Sequence, residues 1–497
     1  MSTVAPPMEG ATGTSGRTAA VAWRGDVDAS CAWPVMAFFG SSIFWLLAGS
    51  VLALLASIKM HTPGFLAGAE WLTFGRVRPA HLNAVIYGWA SMAGVGVLLW
   101  LQARLARVRL PLQGLLIVGC ALWNLGVVGG ILSILTGSST GVEWLEFPYP
   151  WSFLFAGVFA VVMAASMMMF TGRRVRTLYV SQWYLLGAVL WFPFLYVMAN
   201  ALIHGNLARG VVQAAANWWF GHNVLGLWFT PIGIATLYYI LPKILGRPIY
   251  SYYLSLLGFW TLALFYNFAG THHLIGGPLP AWFITVGIVG SIMMFIPVTI
   301  VGLNHHMTMK GYFHLLKASP SLRFIVFGGM AYTVVSYQGS IEALRRVNEV
   351  THFTHYTVGH AHLGVYGFFT MVMFGAIYYI MPRLTGREWS SPRLIKVHFW
   401  GAAVGILAYW IGLTWGGFVE GLMMNDPNVP FLDVMRYTIP FLWSRSFAGI
   451  LMTVGHLAFA VLAWRMFFPR GERVLGAALF SGRGRPGVPL VHEGGEA

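Results

Sequence analysis

The sequence has 497 residues, of which 57% are hydrophobic and 9% charged, and a formal net charge of +15. Soluble domains carry about 25% charged residues, so a soluble fold would have to hide far more apolar surface than its size allows, and the composition excludes one. The positive charge does not point to nucleic acid either, because the basic residues lie in short loops between apolar runs, as the positive-inside bias of membrane proteins requires.

Residues 1–30 are polar and rich in Gly, Ser, Thr and Ala. With no charged segment feeding a short apolar core, they read as a disordered cytoplasmic tail rather than a cleaved leader. Cys31 and Cys120 are the two cysteines, too few for a disulfide framework, and no C-x-x-C-H motif is present to attach a c-type haem. Between residues 31 and 470, twelve stretches reach the roughly 20 apolar residues that a spanning helix needs. They lie near 33–58, 79–102, 111–136, 150–171, 178–203, 212–241, 250–270, 281–304, 322–340, 355–381, 394–419 and 436–467. A cytoplasmic N-terminus puts most of the Lys and Arg on one side, including Arg104, Arg107 and Arg109, then Arg173, Arg174 and Arg176, then Arg383, Arg387 and Arg393. The expected fold is all-α, a polytopic membrane protein of twelve transmembrane helices, with residues 471–497 forming a second cytoplasmic tail.

An ionisable residue inside a membrane span is a functional candidate by default. Of the 16 histidines, His61, His204, His305, His306, His314, His398 and His492 fall at helix ends, loops or tails. His456 lies in the last helix without a partner motif and reads as a packing residue. Six others stand apart: His81 at the start of the second helix, His222 in the sixth, His272 and His273 closing the seventh, and His360 and His362 in the tenth. The second, sixth and tenth helices run inward while the seventh runs outward. At about 1.5 Å per residue, all six imidazoles reach the outer third of the bilayer. Residues two apart on a helix differ by about 200°, so His360 and His362 point opposite ways and each can serve its own metal. Haem iron accepts a histidine axial ligand, and neutral imidazole also suits copper. The adjacent pair and one further histidine supply three nitrogens for an open copper site.

These residues, in FGRVRPAHLNAV, WWFGHNVLG, GRPIYSYYLS and TVGHAHLGVYG, resemble the catalytic subunit of haem–copper oxygen reductases over residues 30 to 470. The resemblance is to the C family, the cbb3-type cytochrome c oxidases. It implies that His81 and His362 are the axial ligands of a low-spin haem b. His360 would be the single ligand of a high-spin haem b3, and His222, His272 and His273 would bind copper (CuB). Arg76, Arg78 and Arg445 would pair with haem propionates, as arginine does with carboxylates. Tyr266, seven residues before His273 and on the same side of the helix, would be the redox tyrosine, covalently joined to His222. Where related families carry that tyrosine four residues after the sixth-helix ligand, this chain has Gly226. Thr230, Tyr238, Ser255 and Tyr266 match the family's proton path.

Three positions depart from the family. Gly258 stands where the proton path is expected to carry histidine, Gln338 where glutamate is expected, and His355 where an acidic residue is expected. Glutamine cannot exchange a proton. The implied function is four-electron reduction of dioxygen to water, coupled to proton uptake, in a bacterial inner membrane with both termini cytoplasmic. The implied partners are membrane-anchored mono-haem and di-haem c-type cytochromes, docking on the outer side near Glu143, Glu146, Asp426 and Asp433. Alternatives are a nitric-oxide reductase, whose glutamate would occupy the position of Gly226, and a non-catalytic haem-binding paralogue.

Overall fold

The structure is a computed structural model that describes residues 14–468. Its long helices are α1 (Thr14–His61), α2 (Phe74–Ala106), α3 (Gln113–Leu135), α4 (Tyr149–Thr171), α5 (Val180–Ile203) and α6 (Val211–Leu245). Then follow α7 (Tyr252–Leu274), α8 (Ala281–Met309), α9 (Pro320–Glu342), α10 (His355–Thr385), α11 (Pro392–Met424) and α12 (Phe431–Phe467). All except α9 are long and apolar enough to cross a membrane, which makes this a multi-pass membrane protein. The helix α9 is 23 residues long and matches the ninth expected span, but it carries Arg323, Gln338 and Glu342 and is correspondingly less apolar.

Local chemistry sets the helix starts. The hydroxyls of Ser251, Ser319 and Ser391 accept hydrogen bonds from the backbone N–H three residues on, opening α7, α9 and α11, and Thr354 accepts from Tyr356 N–H at the start of α10. Ahead of residue 31 the chain departs from the expected disordered tail. Trp100 and Arg104 of α2 both donate to the Asp28 carboxylate, each at 2.9 Å, and this pairing holds that stretch in α1. Residues 1–13 and 469–497, including His492 and the expected C-terminal tail, lie outside the described residues.

Three helices form the inner layer. In their most apolar stretch α2 and α6 are 94% buried and α10 83%, against 39–50% for the other eight candidate spans. Each inner helix also widens locally into π-helix, at Ala84–Ala90, Leu225–Phe229 and Leu363–Thr370. Such widenings gather at functional sites. Here each begins within three residues of a histidine: His81, His222 and His362. His398, expected at a helix end, is instead fully buried in α11, where the Tyr378 hydroxyl is 2.9 Å from its Nδ1. His456 is packed as expected, between Ser50 Oγ at 2.8 Å and Tyr366 Oη at 2.7 Å.

The loop between α3 and α4 folds over the inner helices. Trp144 C=O accepts from Tyr87 Oη at 2.7 Å, and Glu146 Oε2 accepts from Asn83 Nδ2 at 2.9 Å. Burial pushes the Glu146 carboxyl up to about 7, against the hydrogen bond from Asn83, which favours the charged form. A carboxyl whose folded pKa is raised holds its proton when the unfolded chain has lost it, so stability falls as pH rises from about 4.5 to about 7. We therefore expect the thermal midpoint to drop between pH 5 and pH 8, measured by loss of helical signal in detergent. Glu146→Gln should flatten that slope, and an unchanged slope would show that another group governs it.

Candidate metal centre

The inner helices surround a cavity of about 470 Å³, lined by all six singled-out histidines together with Tyr266, Thr230, Arg78 and Arg445. At one end, His222 of α6 meets His272 and His273 on the 3-10 turn that closes α7. One nitrogen from each lies within 4.8 Å of the others. Their ring centroids are 5.0 Å (His222–His272), 5.4 Å (His222–His273) and 4.3 Å (His272–His273) apart.

Neighbouring groups fix how these rings present themselves. Ser291 Oγ donates to Gly287 C=O at 2.9 Å and lies 2.6 Å from His272 Nδ1. With its one proton engaged, the hydroxyl accepts from Nδ1–H, which leaves His272 Nε2 as the metal-binding lone pair. His273 stacks on Trp218 at 4.2 Å. His222 Nδ1 is buried without a hydrogen-bond partner, an uncommon state that coordination to a cation relieves. These donors fit a soft or borderline metal such as copper. Ser291→Ala should lower copper affinity by about ten- to a hundredfold, read by competition with a copper chelator; unchanged affinity would remove Ser291 from this role.

Tyr266 packs against the same cluster, its ring centroid 4.5 Å from that of His222 at 33°. The absence of a side chain at Gly226 makes this possible, because a methyl group there would fall inside the Tyr266 ring. Gly270 permits a second close approach, as a Cβ on it would meet His222 Cβ at 2.8 Å.

Across the cavity, His81 Nδ1 lies 2.9 Å from Gly49 C=O and His362 Nδ1 2.8 Å from Val358 C=O. Carbonyls only accept, so both rings carry the proton on Nδ1, which leaves Nε2 as the lone pair of each ring. Tyr409 Oη is 3.2 Å from His362 Nε2. His360 faces the other way, as the two-residue spacing demands. Its Nδ1 is buried without a partner, and it lies against Gly339 of α9, where a Cβ would meet its Cε1 at 2.7 Å.

The arginines separate. Arg78 lines the cavity and donates to Glu143 at 2.6 Å. Arg445 lines it as well, with a nitrogen 2.6 Å from Met60 Sδ. Arg76 is not among the lining residues and donates instead to Leu135 C=O at 3.2 Å. Of the hydroxyls, Thr230 and Tyr266 line the cavity. Tyr238 Oη accepts from Asn304 Nδ2 at 3.5 Å, and Ser255 Oγ donates to Tyr252 C=O at 2.6 Å. Two tyrosines overlooked in the sequence join this region. Tyr332 of α9 lines the cavity, and Tyr184 Oη lies 3.3 Å from where a Cβ on Gly258 would sit. His355 also gains an account: its Nδ1 and backbone N–H both meet Glu420 Oε2, at 2.7 and 2.9 Å. The acid thus comes from α11 and caps α10. No signal within α10 could have revealed Glu420, which lies 65 residues away.

Residues 33–451 match the family described as Cytochrome C and Quinol oxidase polypeptide I. The cbb3-type cytochrome c oxidase subunit CcoN1 of Stutzerimonas stutzeri is 30% identical over 85% of this chain and 92% of its own length. Cytochrome c oxidase subunit 1 of Rhodobacter capsulatus is 30% identical over 85% of this chain and 83% of its own. A nitric oxide reductase from Stutzerimonas stutzeri is more distant, 27% identical over 58% of this chain and 61% of its own. A solved haem–copper terminal oxidase dimer shares the fold, with a TM-score of 0.72 at 16% identity over 92% of this chain and 86% of its own.

Proposed function

The chain belongs to the Cytochrome C and Quinol oxidase polypeptide I family, the oxidoreductase subunit I of haem–copper oxidases, and on that premise we propose that it is the catalytic subunit of a cbb3-type terminal oxidase. In this reading it reduces dioxygen to water with electrons from cytochrome c, coupled to proton uptake. The observation that carries the reading is the packing of Tyr266 against His222 beside three convergent imidazoles. His222, His272 and His273 would hold copper, His360 a high-spin haem b3, and His81 with His362 a low-spin haem b. When bound, these groups supply dioxygen binding and electron transfer.

The chain's own residues supply position and protons. Gly49 and Val358 carbonyls orient the two low-spin ligands, and Ser291 orients His272. Arg78 and Arg445 offer cations to haem propionates from the cavity wall, whereas Arg76 would have to leave Leu135 to do so. The Tyr266 phenol would give a proton and an electron to the dioxygen being reduced, then recover the electron from the cytochrome donor and the proton through hydroxyls that include Thr230, Tyr238 and Ser255. Its contact with the His222 ring suits a covalent bond between the two side chains.

The chain lacks a C-x-x-C-H motif, so electrons would arrive through membrane-anchored mono-haem and di-haem c-type cytochromes. The setting would be a bacterial cytoplasmic membrane with both termini inside. A nitric-oxide reductase reading is less well supported, because the Tyr266 ring occupies the space that a side chain at position 226 would need. One preparation tests both readings. Copper with two b-type haems and oxygen consumption from reduced cytochrome c supports the oxidase. Non-haem iron with nitric oxide consumption overturns it, and two six-coordinate haems without either activity would indicate a non-catalytic haem protein.

A further inference from the structure

Only two carboxylates line the central cavity among the described residues, Glu143 and Glu342. Glu143 is neutralised by Arg78. Glu342 is different: it is the last residue of α9, only 6% exposed, and no cationic side chain pairs with it. Its Oε1 accepts a short hydrogen bond from Thr357 Oγ1, and Asn348 Nδ2 donates to its backbone carbonyl at 3.3 Å. A buried carboxylate without a counter-charge is costly, and the negative pole of the helix C-terminus adds to that cost. Both effects favour the protonated form of this carboxyl over the charged one.

Its placement links it to the centre. Thr357 precedes His360 by one turn of α10, and Gly339, one turn before Glu342 on α9, packs against the His360 ring. Gln338 is held elsewhere, accepting from Trp410 Nε1 at 2.8 Å with its amide 3.5 Å from Thr414 Oγ1. As an amide it has no acidic proton. Glu342 is thus the unpaired acid of the cavity wall near His360.

We propose that Glu342, relocated one helical turn from Gln338, is the proton-exchanging group on the His360 side of the centre. This rests on the function proposed above. As electrons delivered by the cytochrome donor pass to dioxygen, Glu342 gives its proton to the oxygen being reduced and becomes a carboxylate. When the centre is reduced again the carboxylate takes one proton back from bulk water, with Thr357 holding the carboxyl in place.

Reduced-minus-oxidised infrared difference spectroscopy on the holoenzyme tests the proposal. The unsubstituted protein should show a carboxylic-acid C=O band that is missing in Glu342→Gln and shifted in frequency in Thr357→Val. Oxygen turnover in Glu342→Gln should fall by about a hundredfold, with haem and copper contents unchanged. An infrared difference spectrum identical in all three proteins would overturn the assignment. That outcome is distinguishable from failure of the oxidase reading, which would appear as missing copper or absent oxygen consumption in the unsubstituted protein.

Discussion

A His222→Ala protein is expected to lose its copper and its oxygen consumption while keeping both b-type haems. The three imidazoles have nitrogens within 4.8 Å of each other, and removing one leaves only the adjacent pair on the closing turn of α7. Loss of an orienting partner alone costs about ten- to a hundredfold in metal affinity, so loss of a ligand should exceed a hundredfold. The proposed haem ligands stand on other elements: His81 on α2, and His360 and His362 on α10, with His81 and His362 anchored to their own carbonyls. Elemental analysis beside the haem spectrum separates the two sites. Stoichiometric copper in this variant would mean that the cluster is not the copper site.

The second large effect is expected from Tyr266→Phe, which should keep haem and copper and still reduce oxygen turnover by at least about a hundredfold, the lower end for a lost proton donor. Phenylalanine preserves the ring that packs against His222 at 4.5 Å and removes only the hydroxyl. A tyrosine serving as packing alone would therefore leave turnover intact, and that result would refute the role. Gly226→Ala offers a second route to the same conclusion. Its added methyl would fall inside the Tyr266 ring, so the tyrosine must move away from His222 and turnover should fall with the hydroxyl still present. Mass spectrometry of the peptides carrying His222 and Tyr266 would show whether the two are joined.

How much of this was legible beforehand follows from the range of the interactions involved. Membrane burial is written locally, as apolar runs of fixed length, and all twelve runs appear as helices. The ninth is the least apolar because it carries Arg323, Gln338 and Glu342, of which Glu342 reaches the cavity wall. The grouping of the six histidines was also readable, because helix direction and rise bring them to one end of their helices, and they line one cavity. His355 was not, since its acid sits on α11, nor was the α1 stretch ahead of residue 31, whose Asp28 pairs with residues 72 and 76 positions away.

By itself the sequence determined the membrane class, the twelve long helices and the six histidines that share one cavity, because each follows from hydrophobicity and helical rise alone. The tertiary structure decided which of those imidazoles converge, which nitrogen each presents, and where the protonatable groups sit. It also decided that the inner helices widen beside their histidines and that Gly226 is the space filled by Tyr266. These features arise from contacts between helices distant along the chain, such as Ser291 on His272 and Thr357 on Glu342. Side-chain geometry of that kind is set only when the helices pack, since no local periodicity encodes it.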